Sequence, residues 1–146
     1  MTRVVIATYG GNDYVKETGH VNFDEPFSYE INTGPGNDEV HADHDRGTLI
    51  GGPGTDLYHY PQSFSGPGGI INLLTGTYRD KITLDGIPIV GGTLAEFENV
   101  RGGEGADLNV GDEGNNVLDG QGFHDDLVGL GGEMTCCLEE NSERTC

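Results

Sequence analysis

Three short strings in this chain end a glycine-rich turn in an aspartate. They are Gly34-Pro35-Gly36-Asn37-Asp38, Gly52-Pro53-Gly54-Thr55-Asp56 and Gly103-Glu104-Gly105-Ala106-Asp107. Carboxylates are hard oxygen donors, and glycine-rich turns expose further oxygens as backbone carbonyls. An all-oxygen donor set of this kind suits calcium, which takes about 6–8 oxygen ligands at roughly 2.3–2.6 Å in flexible geometry. Magnesium suits it less, because it demands near-octahedral geometry and gives up water reluctantly. Gly and Asp frequencies predict only about 0.4 such strings by chance, so composition is a poor explanation for three.

Spacing strengthens the case. Asp38 and Asp56 are 18 residues apart, as are Asp107 and Asp125. From Thr33 the chain divides into nonads at 33–41, 42–50 and 51–59, and again at 102–110, 111–119 and 120–128, with a partial copy from Gly129. The stretch GGNDYV at 10–15 is a half-formed copy. The eighth position holds Val40, Leu49, Tyr58, Leu118 and Leu127, with Asn109 the exception.

Nine residues of this pattern make a turn and a short strand. The first six are polar and Gly-rich, and Gly tolerates the positive φ of tight turns. The last three form a strand whose middle residue faces inward. Two nonads then complete one coil, and equivalent residues of successive coils stack at about the 4.7–4.9 Å spacing of paired strands. The stacked carboxylates repel unless a cation lies between them. The first expected site is Asp38 and Asp56 with carbonyls of Gly34, Gly36, Gly52 and Gly54. The second is Asp107 and Asp125 with Gly103, Gly105 and the turn at Gln121, Gly122 and Phe123. Asp112 and Asn116 form a weaker half-site on the opposite edge, with the Gly129 turn.

The nonad at 51–59 resembles the Gly-Gly-x-Gly-x-Asp-x-U-x repeat of the RTX (repeats-in-toxin) family, where U is a large apolar residue. The run from Ile71 to Thr77 and the step Glu98 to Val100 also look like a longer pattern of that family. The likeness covers roughly residues 33 to 132, with departures at Asp45, Gly47, Asn116 and Phe123. It implies an all-β, right-handed parallel β-roll (a β-solenoid) holding several Ca²⁺ ions. It also implies a secreted, extracellular chain that stays unfolded at low calcium and folds outside the cell. Family modules often accompany secreted proteases, lipases, cytolysins and epimerases whose catalytic domains lie elsewhere, so this chain is expected to be non-catalytic. A different class of function is a calcium-stabilised adhesion or polysaccharide-binding module. A third is the repeat module of a polysaccharide-modifying enzyme. The partners expected besides calcium are thus an extracellular polysaccharide or a catalytic domain.

Composition agrees with cations and argues against polyanionic partners. The 146 residues carry 7 basic and 25 acidic side chains, a formal charge of −18. Nucleic acid and anionic membranes repel such a surface. No segment approaches the roughly 20 apolar residues of a membrane span, and Val4 to Ala7 is too short for a signal-peptide core. All three cysteines, Cys136, Cys137 and Cys146, lie at the C-terminal end, so the expected body is unstapled. The apolar stack looks thin, and metal binding is expected to supply much of the folding free energy.

Other constellations carry less. His41 and His59 are both ninth-position residues, one coil apart, and should stack on one face. That invites zinc or copper, but the expectation is two surface polar residues. Neither Gly-x-Ser-x-Gly nor His-Glu-x-x-His occurs. Tyr9, Tyr14, Tyr29, Tyr58, Tyr60 and Phe64 could line a sugar-binding surface, with core positions the stronger expectation. The organisation expected is an irregular N-terminal cap (1–32), a first nonad array (33–59) and a strand-containing excursion continuing the stack (60–101). A second array (102–132) and a Cys-containing tail (133–146) follow. Within the excursion, strands are expected at Ile70–Leu74, Lys81–Leu84 and Ile87–Val90, with Asp85-Gly86 as a turn.

Overall fold

A computed structural model describes residues 2–17, 27–42, 47–61, 68–80 and 91–137. The described residues are all β. In chain order the strands are β1 (Thr2–Ala7), β2 (Tyr14–Lys16), β3 (Phe27–Asn32), β4 (Glu39–His41), β5 (Gly47–Ile50), β6 (Leu57–His59) and β7 (Gly69–Asn72). Then come β8 (Thr77–Asp80), β9 (Gly92–Ala95), β10 (Asn99–Arg101), β11 (Leu108–Val110), β12 (Asn116–Asp119), β13 (Asp126–Val128) and β14 (Met134–Cys137). No described helix is long and apolar enough to cross a membrane.

These strands form two mostly parallel sheets. One has eight strands in the order β1-β3-β5-β9-β8-β7-β11-β13, the other six in the order β14-β12-β10-β6-β4-β2. Outside the β7–β9 insertion, the chain alternates strictly between them. The pairing follows the nonad arithmetic: Glu39 lies opposite Leu57, Asn99 opposite Val117, and Leu108 opposite Asp126, each partner two nonads further along the chain. Parallel strands cannot be joined by tight hairpins, and the Gly-rich turns carry the chain from one sheet to the other.

Where the nonads lapse, the sheets absorb the difference. β7, β8 and β9 all lie in the larger sheet, with β8 antiparallel to both neighbours. This insertion explains why the sheets are unequal. Strand β7 lies within the expected Ile70–Leu74 segment and its flank, while Lys81–Leu84, Asp85-Gly86 and Ile87–Val90 fall outside the described residues. The segment 1–32, expected as an irregular cap, contributes β1 and β2 as parallel edge strands, one per sheet. Likewise the tail begins with one more parallel strand: β14 pairs with β12 in the same two-nonad register, placing Cys136 beside Leu118. Cys136 is disulfide-bonded.

The core lies between the sheets and, as expected for Tyr29, Tyr58 and Tyr60, is rich in tyrosine. Val40, Tyr58, Val100 and Leu118 form the inner row of the six-stranded sheet, all fully buried. Tyr29, Tyr60 and Tyr78 are also inside, whereas Tyr9 and Tyr14 are exposed. The Tyr29 and Tyr78 hydroxyls meet at 3.0 Å, and the Tyr58 hydroxyl donates to the Ala42 carbonyl at 2.7 Å. The strand glycines Gly47 and Gly92 make room for two of these rings: a Cβ there would lie 2.4 Å from Tyr29 and 2.5 Å from Tyr78.

One inner position breaks the rule. Asn109 is fully buried between Ile71 and Leu127, and its side-chain oxygen accepts no hydrogen bond among the described residues. Its amide donates only a long bond, 3.3 Å, to the Asp119 carbonyl. A buried acceptor left unpaired costs roughly 1–3 kcal/mol. Asn109→Leu should therefore stabilise the fold by about 1 kcal/mol, measured as a rise in thermal midpoint at fixed calcium.

Candidate metal centre

In the nonad turns that begin with Gly51, Gly102, Gly111 and Gly120, the sixth residue folds back over the first. A Cβ on Gly51 would sit 2.7 Å from Asp56 Oδ2, and on Gly102 or Gly120 2.3 Å from Oδ2 of Asp107 or Asp125. On Gly111 it would meet Asn116 Oδ1 at 2.4 Å. The first-position glycine is thus the space that the sixth-position side chain fills. Consecutive coils approach as closely: Gly36 and Gly54 form a parallel bridge, and a Cβ on Gly54 would fall 1.5 Å from the Gly36 oxygen. Gly52, at φ 106°, brings its Cα near the Gly34 oxygen, 2.4 Å from where a Cβ would be.

On the turn edge that leads into the six-stranded sheet, the sixth-position residues form one column. The strand register places Asp13, Asp38, Asp56, Glu98, Asn116 and Met134 above one another. Backbone hydrogen bonds link the acidic members. Asp38 Oδ1 accepts from the Asp13 N–H, Asp56 Oδ1 from the Asp38 N–H, and Glu98 Oε2 from the Asp56 N–H, each at 2.8 Å. The second oxygens behave differently: Oδ2 of Asp13, Asp38 and Asp56 is buried and accepts no hydrogen bond among the described residues.

The repeat period pairs Asp38 with Asp56 but misses Asp13 and Glu98. Insertions set Asp13 well over one coil before Asp38, and Glu98 more than two coils after Asp56, which breaks the period. The readable signal is the acid two positions before an inward apolar side chain, Asp13-x-Val15 and Glu98-x-Val100. Asp112 and Asn116 lie together, Asn116 Oδ1 accepting from the Asp112 N–H at 2.9 Å. Asn116 continues the same column, its amide donating to the Glu98 carbonyl at 2.9 Å and to Asp112 Oδ1 at 3.1 Å. From the Gly129 turn, the Glu133 carbonyl accepts from the Asn116 N–H at 3.1 Å.

The opposite edge carries Asp107 and Asp125, both buried. Asp125 Oδ1 accepts from the Asp107 N–H at 2.9 Å. Asp107 uses both oxygens, accepting from Gly69 N–H at 2.6 Å and Gly103 N–H at 2.8 Å. Gly105 is buried in the same turn. Gly122 packs over Glu104, 3.2 Å from Oε2 to a would-be Cβ. In the next turn along this edge Gln121 and Phe123 hold φ 66°, a left-handed conformation that strains residues other than Gly.

Carboxylates one coil apart, about 4.8 Å, repel by about 3 kcal/mol at an effective dielectric constant near 20. Asp56 records this strain. Burial, then Glu98, Asp38 and Glu96, push its carboxyl up to about 6, against a lowering by the Asp38 N–H hydrogen bond. Folded Asp56 therefore holds a proton that the unfolded chain has released. The stability from that proton is full below about pH 3.8 and lost as the pH rises through 6. In calcium-free buffer the chain should be more stable at pH 5 than at pH 7, by about 1–2 kcal/mol from Asp56 alone. Far-UV circular dichroism across that range checks this.

A second cluster lies on the outer face of the six-stranded sheet. Glu39 Oε1 sits 2.6 Å from His41 Nε2, which sits 3.1 Å from His59 Nδ1. Contrary to expectation His41 is not a surface residue; Tyr14 covers it edge-on at 4.8 Å and leaves it 9% exposed. Burial, with His41 and Arg101 nearby, lowers His59 to about 4. No protein-family model matches this sequence, and no curated protein matches it significantly.

Proposed function

We propose that this chain is a calcium-binding module of the RTX type, a right-handed parallel β-roll that folds on binding several Ca²⁺ ions outside the cell. The single observation behind this reading is the acidic column of Asp13, Asp38, Asp56 and Glu98, with three buried carboxylate oxygens that accept no hydrogen bond among the described residues. An array of this kind is costly until a dication neutralises it. The donor set is entirely oxygen, and Gly34 and Gly36 turn their carbonyl oxygens toward the next coil at the same edge. Asp107 and Asp125 would hold further calcium on the opposite edge.

Cation binding here supplies folding free energy rather than catalysis. Extracellular modules bind calcium at about 10⁻⁴–10⁻³ M, so millimolar calcium outside a cell loads them while the cytosol leaves them empty. At ten times its dissociation constant each ion adds roughly 1.4 kcal/mol to the stability of the folded chain, and several ions add in proportion. The test is a calcium titration of the chelated chain followed by far-UV circular dichroism, with magnesium as control. A cooperative gain of β signal specific to calcium supports the reading. A spectrum unchanged by calcium would sink it.

A further inference from the structure

We propose that Glu39, His41 and His59 form a binding site for zinc, separate from the aspartate turns and independent of the calcium reading. One ligand atom from each of the three side chains lies within 4.8 Å of the other two. Ligands about 2.0–2.1 Å from zinc at tetrahedral angles are about 3.3 Å apart. The observed separations of 2.6 and 3.1 Å are close to those edges, so small side-chain rotations would centre an ion.

The backbone prepares the arrangement. Glu39 and His41 are alternate residues of β4 and so share a face, and the parallel register sets His59 of β6 directly beside His41. The imidazole rings pack edge to face at 4.1 Å. His41 Nδ1 lies 3.4 Å from the Tyr14 hydroxyl, which turns Nε2 toward the cluster. Such an outer hydrogen bond fixes the ring that binds a metal. Two imidazole nitrogens with one carboxylate favour zinc over calcium, which requires oxygen. The fourth position opens to water beside Glu39, whose side chain is 34% exposed.

Arg101 is the opposing feature. Its guanidinium lies 3.9 Å from the same Glu39 oxygen, although Asp119 holds it at 3.1 Å on the other side. That gives the site a signature distinct from simple packing: removing the arginine charge should tighten zinc.

The experiment is zinc titration against a chromophoric chelator, with the protein in millimolar calcium. One zinc per chain should bind at micromolar or tighter affinity and resist displacement by calcium. His41→Gln and His59→Gln should each weaken binding at least tenfold while keeping the calcium response of the circular dichroism spectrum. Arg101→Gln should tighten binding several-fold. Cobalt(II) in place of zinc should give the visible absorption of a four-coordinate nitrogen–oxygen site, lost in both histidine variants. Absent micromolar binding, displacement by calcium, or affinity unchanged in the histidine variants would each overturn the proposal.

Discussion

Asp56→Asn should raise the calcium concentration at half-folding by about tenfold or more, and in calcium-free buffer it should stabilise the fold. The opposite signs are the point. Asp56 occupies the middle of the acidic column, between Asp38 and Glu98, and is fully buried. Asparagine keeps an oxygen for the Asp38 N–H, which Asp56 Oδ1 now accepts at 2.8 Å. What it removes is the charge. With calcium bound, a charged ligand is lost, and calcium affinity follows ligand charge. Without calcium, the same change removes the buried charge whose desolvation, with repulsion from Glu98 and Asp38, pushes the Asp56 carboxyl up to about 6, and should return about 2–3 kcal/mol. Chemical denaturation with and without calcium measures both. A carboxylate serving only as a hydrogen-bond acceptor would give small effects of one sign in the two conditions.

Gly54→Ala should cost about 4 kcal/mol or more and separate the first two nonad coils at any calcium concentration. The added methyl would stand 1.5 Å from the Gly36 oxygen, a backbone atom that cannot rotate away. Relief requires the coils to part, and parting them breaks the Leu57 N–H bond to the Asp38 carbonyl and the hydrogen bond between Asp38 and Asp56. Gly114→Ala is the matched control. Its methyl would meet only the Asp112 carboxylate, at 3.1 Å, in an exposed turn, and should cost under about 1 kcal/mol. Denaturation midpoints of the two variants at saturating calcium check the contrast.

Much of this architecture is legible because one interval governs it. The two-nonad step pairs Asp38 with Asp56 and Asp107 with Asp125, and it sets the register of β4 with β6 and β11 with β13. Insertions hide the rest. Asp13 and Glu98 belong to the same column, but they lie 25 and 42 residues from their neighbours Asp38 and Asp56, off the two-nonad period. The antiparallel β8 replaces a regular coil, and nothing in a nonad pattern foretells it. Core tyrosines are expected, but the room for them is not legible: Tyr29 and Tyr78 fit only because Gly47 and Gly92, far apart in sequence, leave space for their rings. The Glu39–His41–His59 cluster needs the register of two strands and the covering Tyr14 ring to become visible.

The coils also reach beyond the consensus repeat. The last described turn and strand, from Gly129 to Cys136, lack the consensus acid, yet the column still reads through them. Met134 stands in the acid's place, and Cys136 takes the inward position beside Leu118. A soft thioether ends the ladder of hard oxygens. The run of oxygen-bearing side chains in this column thus ends at Asn116.

The central claim is that calcium sits between the stacked turns, and its most direct test is anomalous diffraction from crystals grown in millimolar calcium. The account predicts anomalous peaks between the Asp38 and Asp56 turns and between the Asp107 and Asp125 turns, with Oδ2 of Asp38 and Asp56 within about 2.3–2.6 Å of an ion. Turns empty of calcium at that concentration, with the carboxylates still bound only by backbone N–H groups, would contradict it.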